Sequence, residues 1–327
     1  MRWNEWYASK LPFVWTACAS AAASSPLHAA AVLRRAAAVI LFTCLCAAFG
    51  YLANDHADRA CDRSAGKLTP VTGLSERAAL LVLAALMAAA LGALAVAAAS
   101  PAAAAAGIAA LVLSAAYSLG PLRLKQRGAA GVWSAAAAQR TLPVLVAFAA
   151  LGPLDVKAWA FAAVAQLVGI RWMLVHQVVD AANDRRAGVA TYVAAAGEAR
   201  ARVLLRRVVL PLELVAVAAA LWAASASMPA VWTVAPAGAL ASGVWAVLWR
   251  GVRAPYSLDG YGRQPLAGFY QAVWPAGAAV LLAASRPTLW PLGAAFLLWE
   301  SRFIGHHLAT ASRLLRERVA LAPRGAC

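Results

Sequence analysis

Long apolar stretches, each able to cross a lipid bilayer as a helix, dominate this chain of 327 residues. The hydrocarbon core of a bilayer requires about 20 consecutive apolar residues per helix. Because 63% of the residues are hydrophobic and only 13% are charged, the chain has too few polar groups for a soluble protein of this length. We therefore predict one all-α domain over 1–327, a polytopic membrane bundle of nine or ten transmembrane helices. The stretches lie at 11–31, 34–54, 76–98, 102–119, 130–151, 157–179, 204–225, 229–249, 268–285 and 288–309.

The net charge of +16 is distributed unevenly between the loops on the two sides of the predicted bundle. With the N-terminus placed in the cytoplasm, the inward-facing segments hold 22 Lys and Arg residues and the outward loops hold four. This excess is the positive-inside pattern of a multi-pass protein of the cytoplasmic membrane. Topology therefore explains the charge, and nucleic-acid binding is not required. The last stretch contains charged residues, so 288–327 is predicted as an extra C-terminal helix with a basic tail.

Two short acidic segments follow the second and sixth apolar stretches and contain five of the 13 acidic residues. Asn54, Asp58 and Asp62 are four residues apart, which places them along one face of a helix. Asp180 and Asp184 repeat the same step. Carboxylates stacked in this way repel one another and oppose the helix dipole unless a cation lies between them. Hard oxygen ligands suit Mg²⁺, which is commonly bound together with phosphates, so the segments predict a metal–diphosphate site on the cytoplasmic face.

A short basic loop between the fourth and fifth apolar stretches lies on the same predicted face. It contains Tyr117, Arg123 and Lys125, which are candidate substrate-binding residues. Either Arg123 or Lys125 could reach a diphosphate held by the acidic segments, as cations do at transferring phosphate groups. On spacing alone, a role of the two cations as ordinary topological anchors is equally compatible with the sequence.

Three motifs occur in order along the chain. They are Asn-Asp-x-x-Asp-x-x-x-Asp at 54–62, Tyr-Ser-x-x-Pro-x-x-x-Lys at 117–125, and Asp-x-x-x-Asp followed by Arg-x-x-Gly-x-x-Thr at 180–191. In type and spacing they resemble the UbiA superfamily of intramembrane prenyltransferases, over about residues 1–285. The resemblance implies a helical bundle around a central cavity that opens to the cytoplasmic leaflet. It also implies that Lys125 contacts a diphosphate and that Mg²⁺ is held by Asn54, Asp58, Asp62, Asp180 and Asp184.

Several ionisable residues fall inside the apolar stretches, among them Arg140, Arg171, Glu213 and Glu300. Each costs about 2.5–3.5 kcal/mol at the centre of a membrane helix on insertion scales, so each requires a partner or a role. For Arg140 we predict a position near the cavity, where it binds an acceptor or a phosphate. For the other three we predict internal ion pairing.

The resemblance implies Mg²⁺-dependent transfer of an isoprenyl group from an allylic prenyl diphosphate to a hydrophobic or aromatic acceptor, with release of diphosphate. The candidate catalytic residues are Asp58, Asp62, Asp184 and Lys125, and either Asp62 or Asp184 could remove the proton of the acceptor. A terpene cyclase remains an alternative, because it would share the motifs and use the substrate's own double bond as nucleophile. A ten-helix ion-coupled transporter is a more remote alternative. Such a transporter would place its charges near the bilayer midplane.

Overall fold

The structure is a computed structural model that describes residues 3–64, 66, 68–186, 188–249 and 268–321. In these ranges every regular element is helical, apart from one isolated parallel bridge between Gly128 and Thr191. The α-helices are α1 (Trp3–Ala23), α2 (Ala29–Ala57), α3 (Arg59–Ser64), α4 (Glu76–Ala97), α5 (Pro101–Ser118), α6 (Ala129–Ala136), α7 (Leu142–Leu151), α8 (Val156–Arg186), α9 (Tyr192–Ala196), α10 (Glu198–Leu204), α11 (Leu210–Ser225), α12 (Val234–Trp249), α13 (Trp274–Ser285) and α14 (Trp290–Leu321).

Six helical segments of the described chain are long and apolar enough to cross a membrane. A shorter apolar segment, Phe269–Ser285, follows them. The predicted all-helical membrane bundle is therefore confirmed, whereas nine or ten crossings remain a prediction. The six segments are Ala29–Ala57, Glu76–Ala97, Pro101–Ser118, Ala129–Leu151, Val156–Arg186 and Glu198–Ser225.

The two ends of the chain differ from the predicted spans. A first span over 11–31 is wrong, because α1 ends at Ala23 and α2 begins at Ala29. The side chain of His28 accepts a hydrogen bond from the backbone N–H of Ala31 and caps α2. Apolar residues flank this turn on both sides, so hydropathy alone does not detect it. At the other end, 288–309 lies inside the 32-residue helix α14, and its passage through the membrane stays a prediction.

Among the described residues, three π-helical turns interrupt the bundle, and each directly precedes a Leu-Pro or Trp-Pro pair. Proline has no N–H to donate and its ring crowds the preceding turn, so the helix widens there. The first of these turns contains Arg140. The turns are Ala137–Thr141 before Pro143, Leu205–Val209 before Pro211, and Phe269–Val273 before Pro275.

A buried ion pair links two of the long helices. The Nε of Arg171 in α8 lies 2.7 Å from the Oε2 of Glu213 in α11, which confirms the pairing predicted for these two residues. For Glu300 the prediction of pairing is wrong: its side chain is fully buried in α14, and neither carboxylate oxygen has a hydrogen-bond partner in the described structure. A sequence shows that a charge lies in an apolar stretch, but not which groups face it.

One arginine binds backbone carbonyls at the end of the bundle opposite the acidic segments. The guanidinium of Arg286 donates hydrogen bonds to the carbonyls of Ala22, Ser25 and Leu27, at 2.8, 2.9 and 3.0 Å. Carbonyls at and beyond the C-terminus of a helix have no partner within the helix and favour a positive charge. Arg286 therefore fixes the end of α13 against the turn between α1 and α2.

Candidate active site

The first acidic segment retains its helical register across a helix break. The helix α2 ends at Ala57, and Asp58 (φ −96°, ψ 1°) separates it from α3. The backbone N–H of Asp58 still donates to the carbonyl of Asn54 at 3.0 Å, and that of Asp62 donates to the carbonyl of Asp58 at 2.8 Å. These hydrogen bonds span four residues, so the three polar side chains keep the spacing of one helix face. Asp55 is buried instead.

The basic loop contacts this segment directly. The ammonium of Lys125 lies 2.5 Å from Oδ1 of Asp58 and 3.2 Å from Oδ1 of Asn54. The side chain of Lys125 is only 8% exposed, so this contact is largely shielded from solvent. Arg123 reaches the same Asp58 oxygen at 3.5 Å and donates to the carbonyl of Ala57 at 3.3 Å. One carboxylate therefore lies against two cations.

Close packing of the helix α6 against the loop holds Lys125 in place. Lys125 lies in a short 3₁₀ turn, Leu124–Gln126, and Arg123 before it has a left-handed backbone conformation (φ 42°). Gly131 of α6 packs against this turn so closely that a Cβ there would lie 2.5 Å from the carbonyl oxygen of Leu124. Only a residue without a side chain allows this approach.

The second acidic segment, at the end of α8, approaches the same loop. The Oγ1 of Thr191 donates a hydrogen bond to Oδ2 of Asp184 at 2.9 Å. Thr191 also forms the parallel bridge with Gly128, which joins the segment after α8 to the basic loop. Asp184 is within electrostatic range of both Asp180 and Lys125. The structure therefore places the second acidic segment beside the basic loop that contacts the first.

The oxygen atoms of this site could hold a hard divalent cation. Within the described residues, His, Cys, Asp and Glu side chains form no group of three that could hold a metal ion by themselves. The amide oxygen of Asn54 and a carboxylate oxygen of Asp58 nevertheless converge on one cation, the ammonium of Lys125. Mg²⁺ commonly uses only one or two carboxylates when phosphates and water complete its shell. The donors fit such an ion once Lys125 moves aside.

A cavity of about 170 Å³ opens beside Asn54, between α1, α2, α5, the α6–α7 segment and α8. Its lining includes Tyr117, one of the candidate substrate-binding residues. Lys10, a buried residue in its wall, donates a hydrogen bond to the hydroxyl of Tyr51 at 3.1 Å. The sequence did not single out Lys10 or Tyr51, because a Lys at the start of an apolar stretch has the pattern of a topological anchor. Other lining residues are Thr43, Cys46, Ser114, Gln139, Met173 and His176.

Arg140 is buried and is not among the residues that line this cavity. Its guanidinium is 5.5 Å from the ring centroid of Phe13 and 5.7 Å from that of Trp172. Its neighbour Gln139 lines the cavity. Attraction between a guanidinium and two aromatic rings accounts for part of its burial. Binding of substrate by Arg140 stays a prediction.

Solved structures with the same fold come from an archaeon. The chain is similar to a UbiA homolog from Archaeoglobus fulgidus bound to GPP and Mg²⁺, with a TM-score of 0.59 and 18% identity over 85% of this chain and 95% of that one. Another structure of a UbiA homolog from this organism gives a TM-score of 0.58 and 16% identity over 86% and 96% of the two chains. A third, bound to DMAPP and Mg²⁺, gives 0.52 and 18% over 85% and 99%. At these identities the likeness shows the fold.

Sequence comparison supplies the family. No curated protein sequence matches the chain significantly. The model of the UbiA prenyltransferase family matches residues 12–259, which includes both acidic segments and the basic loop. This match covers well over half of the chain, and it agrees with the motifs and with the fold. The protein therefore belongs to the UbiA prenyltransferase family.

Proposed function

We propose that the protein transfers an isoprenyl group from an allylic prenyl diphosphate to a hydrophobic or aromatic acceptor, with Mg²⁺, at the cytoplasmic face of the membrane. The observation that carries the proposal is the convergence of Asn54 and Asp58 on the Lys125 ammonium beside a cavity lined by both polar and apolar residues. Membership of the family supports it. The A. fulgidus homologs bound to GPP and to DMAPP with Mg²⁺ support the choice of donor and ion.

The two acidic segments would hold the metal from opposite sides. Asn54, Asp58 and Asp62 would supply oxygen ligands from the end of α2 and from α3, and Asp180 and Asp184 would supply them from α8. Bound Mg²⁺ would offset the negative charge that develops on the leaving diphosphate. The hydrogen bond from Thr191 orients the Asp184 carboxylate and leaves its second oxygen for another contact.

Lys125 and Arg123 would exchange partners when the donor binds. Both now contact Asp58, and a diphosphate offers oxygens of higher negative charge at the same place. Arg123 can form paired hydrogen bonds to a phosphate, whereas Lys125 acts as a point charge. Tyr117, which lines the cavity together with Asn54, would contact the donor where its diphosphate meets its apolar chain.

The reaction would break the allylic C–O bond and form a bond from the resulting carbocation to the acceptor. The C–O electron pair leaves with the diphosphate, and the π electrons of the acceptor form the new C–C bond. The cavity, enclosed between helices, would keep bulk water from the cation. The acceptor then loses a proton, for which Asp62 and Asp184 are the candidate bases. Arg140 does not line the cavity, so it would bind an acceptor or a phosphate only after a change of rotamer.

A diphosphate-release assay on matched variants tests this function. Asp58→Asn and Asp184→Asn should each lower release by about 100-fold or more, because each removes the negative charge of a proposed metal ligand. Asp155→Asn is the control, since Asp155 caps the far end of α8 by accepting from the N–H of Ala158 and Asn also caps helices. Full activity in both site variants would overturn the proposal. Release of a cyclic product without an acceptor would identify a cyclase instead.

A further inference from the structure

A second apolar concavity lies on the outer surface of the bundle, away from the cavity at Asn54. It is a groove of about 410 Å³ along α4 and α5. Its residues Leu91, Ile108 and Val112 are 43–58% exposed, so the groove faces outward. Both helices are apolar enough to cross a membrane, so their exposed faces would meet lipid chains. The groove is therefore separate from the proposed prenyl-transfer site.

The groove ends at a cation. The lining residue that comes last along the chain is Leu122, in the basic loop. The neighbouring residue Arg123 contacts Asp58, so this loop lies at the same end of the bundle as Asp58. The Nε of Arg127 donates a hydrogen bond to the carbonyl of Leu122 at 2.7 Å, which holds the guanidinium beside this lining residue of the groove. Arg127 is exposed, and no described carboxylate pairs with it. The apolar groove therefore lies beside a positive charge. The Arg127 side chain is held by one hydrogen bond and is exposed to the surroundings.

We propose that this groove binds one acyl chain of an anionic phospholipid and that Arg127 binds its phosphate. Both parts of a phospholipid fit these residues. The apolar lining of the groove suits an acyl chain, and a guanidinium binds two oxygens of a phosphate at once. Basic pockets between membrane helices on the cytoplasmic side bind anionic headgroups in this way. The prenyl chain of a donor is the less suitable occupant, since Lys125, at the proposed diphosphate site, is buried while Arg127 faces outward.

Bound lipid would also restrain the basic loop. Leu122 and Arg127 flank Arg123 and Lys125 in sequence, so a lipid held by the first two would steady the segment that presents the second two to Asp58. This consequence for activity rests on the proposed function. The binding of lipid does not.

Native mass spectrometry of the detergent-purified full chain tests the proposal, with phosphatidylglycerol and phosphatidylcholine added at equal concentration. We expect phosphatidylglycerol to be retained in preference. Arg127→Gln should lower its affinity roughly fivefold, which is the worth of one basic residue near an anionic lipid. Ala116→Phe should also displace it, because Ala116 lines the groove and a larger side chain fills it.

Two variants serve as matched controls. Arg206→Gln removes an exposed charge from another part of the protein, and Ala105→Phe adds the same ring to an exposed position of α5 outside the groove. Both should retain phosphatidylglycerol like the wild type. Equal retention of the two lipids, or unchanged retention in both groove variants, would overturn the proposal. So would displacement of phosphatidylglycerol by a C20 prenyl diphosphate, which would make the groove a channel for the donor.

Discussion

The ammonium of Lys125 lies 2.5 Å from Oδ1 of Asp58, so the loop after α5 is joined to the end of α2 by a shielded ion pair. The pair places a positive charge against one carboxylate of the first acidic segment. It also places a movable cation where a diphosphate and its metal would bind. Lys125 therefore has two proposed states, one on Asp58 and one on the substrate.

Replacement of Lys125 separates these two roles. Lys125→Met should lower prenyl transfer by about 100-fold, because a cation that stabilises the leaving diphosphate is lost. The same variant should bind Mn²⁺ more tightly than the wild type when no diphosphate is present, since Asp58 loses the nearer of its two competing cations. Activity assays and Mn²⁺ titration by electron paramagnetic resonance measure the two effects. Weaker Mn²⁺ binding in the variant would show that Lys125 does not occupy the metal position.

Gly131 packs closely against the turn that carries Lys125, so its substitution should affect activity. Gly131→Ala should lower activity, because its Cβ would push the carbonyl of Leu124 and displace the turn that carries Lys125. A Gly-to-Ala change within a helix usually stabilises the protein by about 0.5–1 kcal/mol. A loss of activity in this variant would therefore not result from a weaker helix. The control is Gly92→Ala in α4, where a Cβ meets nothing within 4 Å. Equal activity of the two variants would contradict the proposed role of Gly131.

Two buried glutamates should respond in opposite directions to the same substitution. Glu213→Leu should destabilise the protein by about 3–5 kcal/mol, because it leaves Arg171 as a buried charge without its counter-ion. Glu300→Leu should raise the melting temperature, because it removes a buried carboxyl group that has no hydrogen-bond partner. Thermal unfolding in detergent measures both. A lower melting temperature for Glu300→Leu would mean that this carboxyl group has a stabilising contact.

At the far end of the bundle, Arg286→Ala should lower stability by about 1–3 kcal/mol. The change leaves the carbonyls of Ala22, Ser25 and Leu27 without their cationic donor. Activity per folded molecule should not change, since this end is remote from Asp58. Arg34→Ala, an exposed arginine at the same end, is the control and should have little effect. Thermal unfolding of the two variants side by side gives the comparison.

Local spacing predicted much of the site. The four-residue steps among Asn54, Asp58 and Asp62 and between Asp180 and Asp184 are properties of a helix, and the backbone hydrogen bonds preserve the first of these across the break at Asp58. Charge counting predicted which segments share a face of the membrane. Both depend on neighbours along the chain, which a sequence shows directly.

Contacts between distant segments could not be predicted in the same way. The contact of Lys10 with Tyr51 joins residues 41 positions apart, and neither residue belongs to a recognisable pattern. The lack of a partner for Glu300 depends on how α14 packs against other helices. The turn after Ala23 has apolar neighbours on both sides, so the hydropathy pattern that found the bundle placed its first span wrongly.

Binding of Mn²⁺ with an unreactive prenyl thiolodiphosphate is the most direct test that both acidic segments hold one metal–diphosphate unit. In electron paramagnetic resonance the wild type should bind Mn²⁺ tightly only when the analogue is present. Asp58→Asn and Asp184→Asn should each weaken this binding, while Asp155→Asn should not. Retention of tight, analogue-dependent binding in either site variant would contradict a shared site.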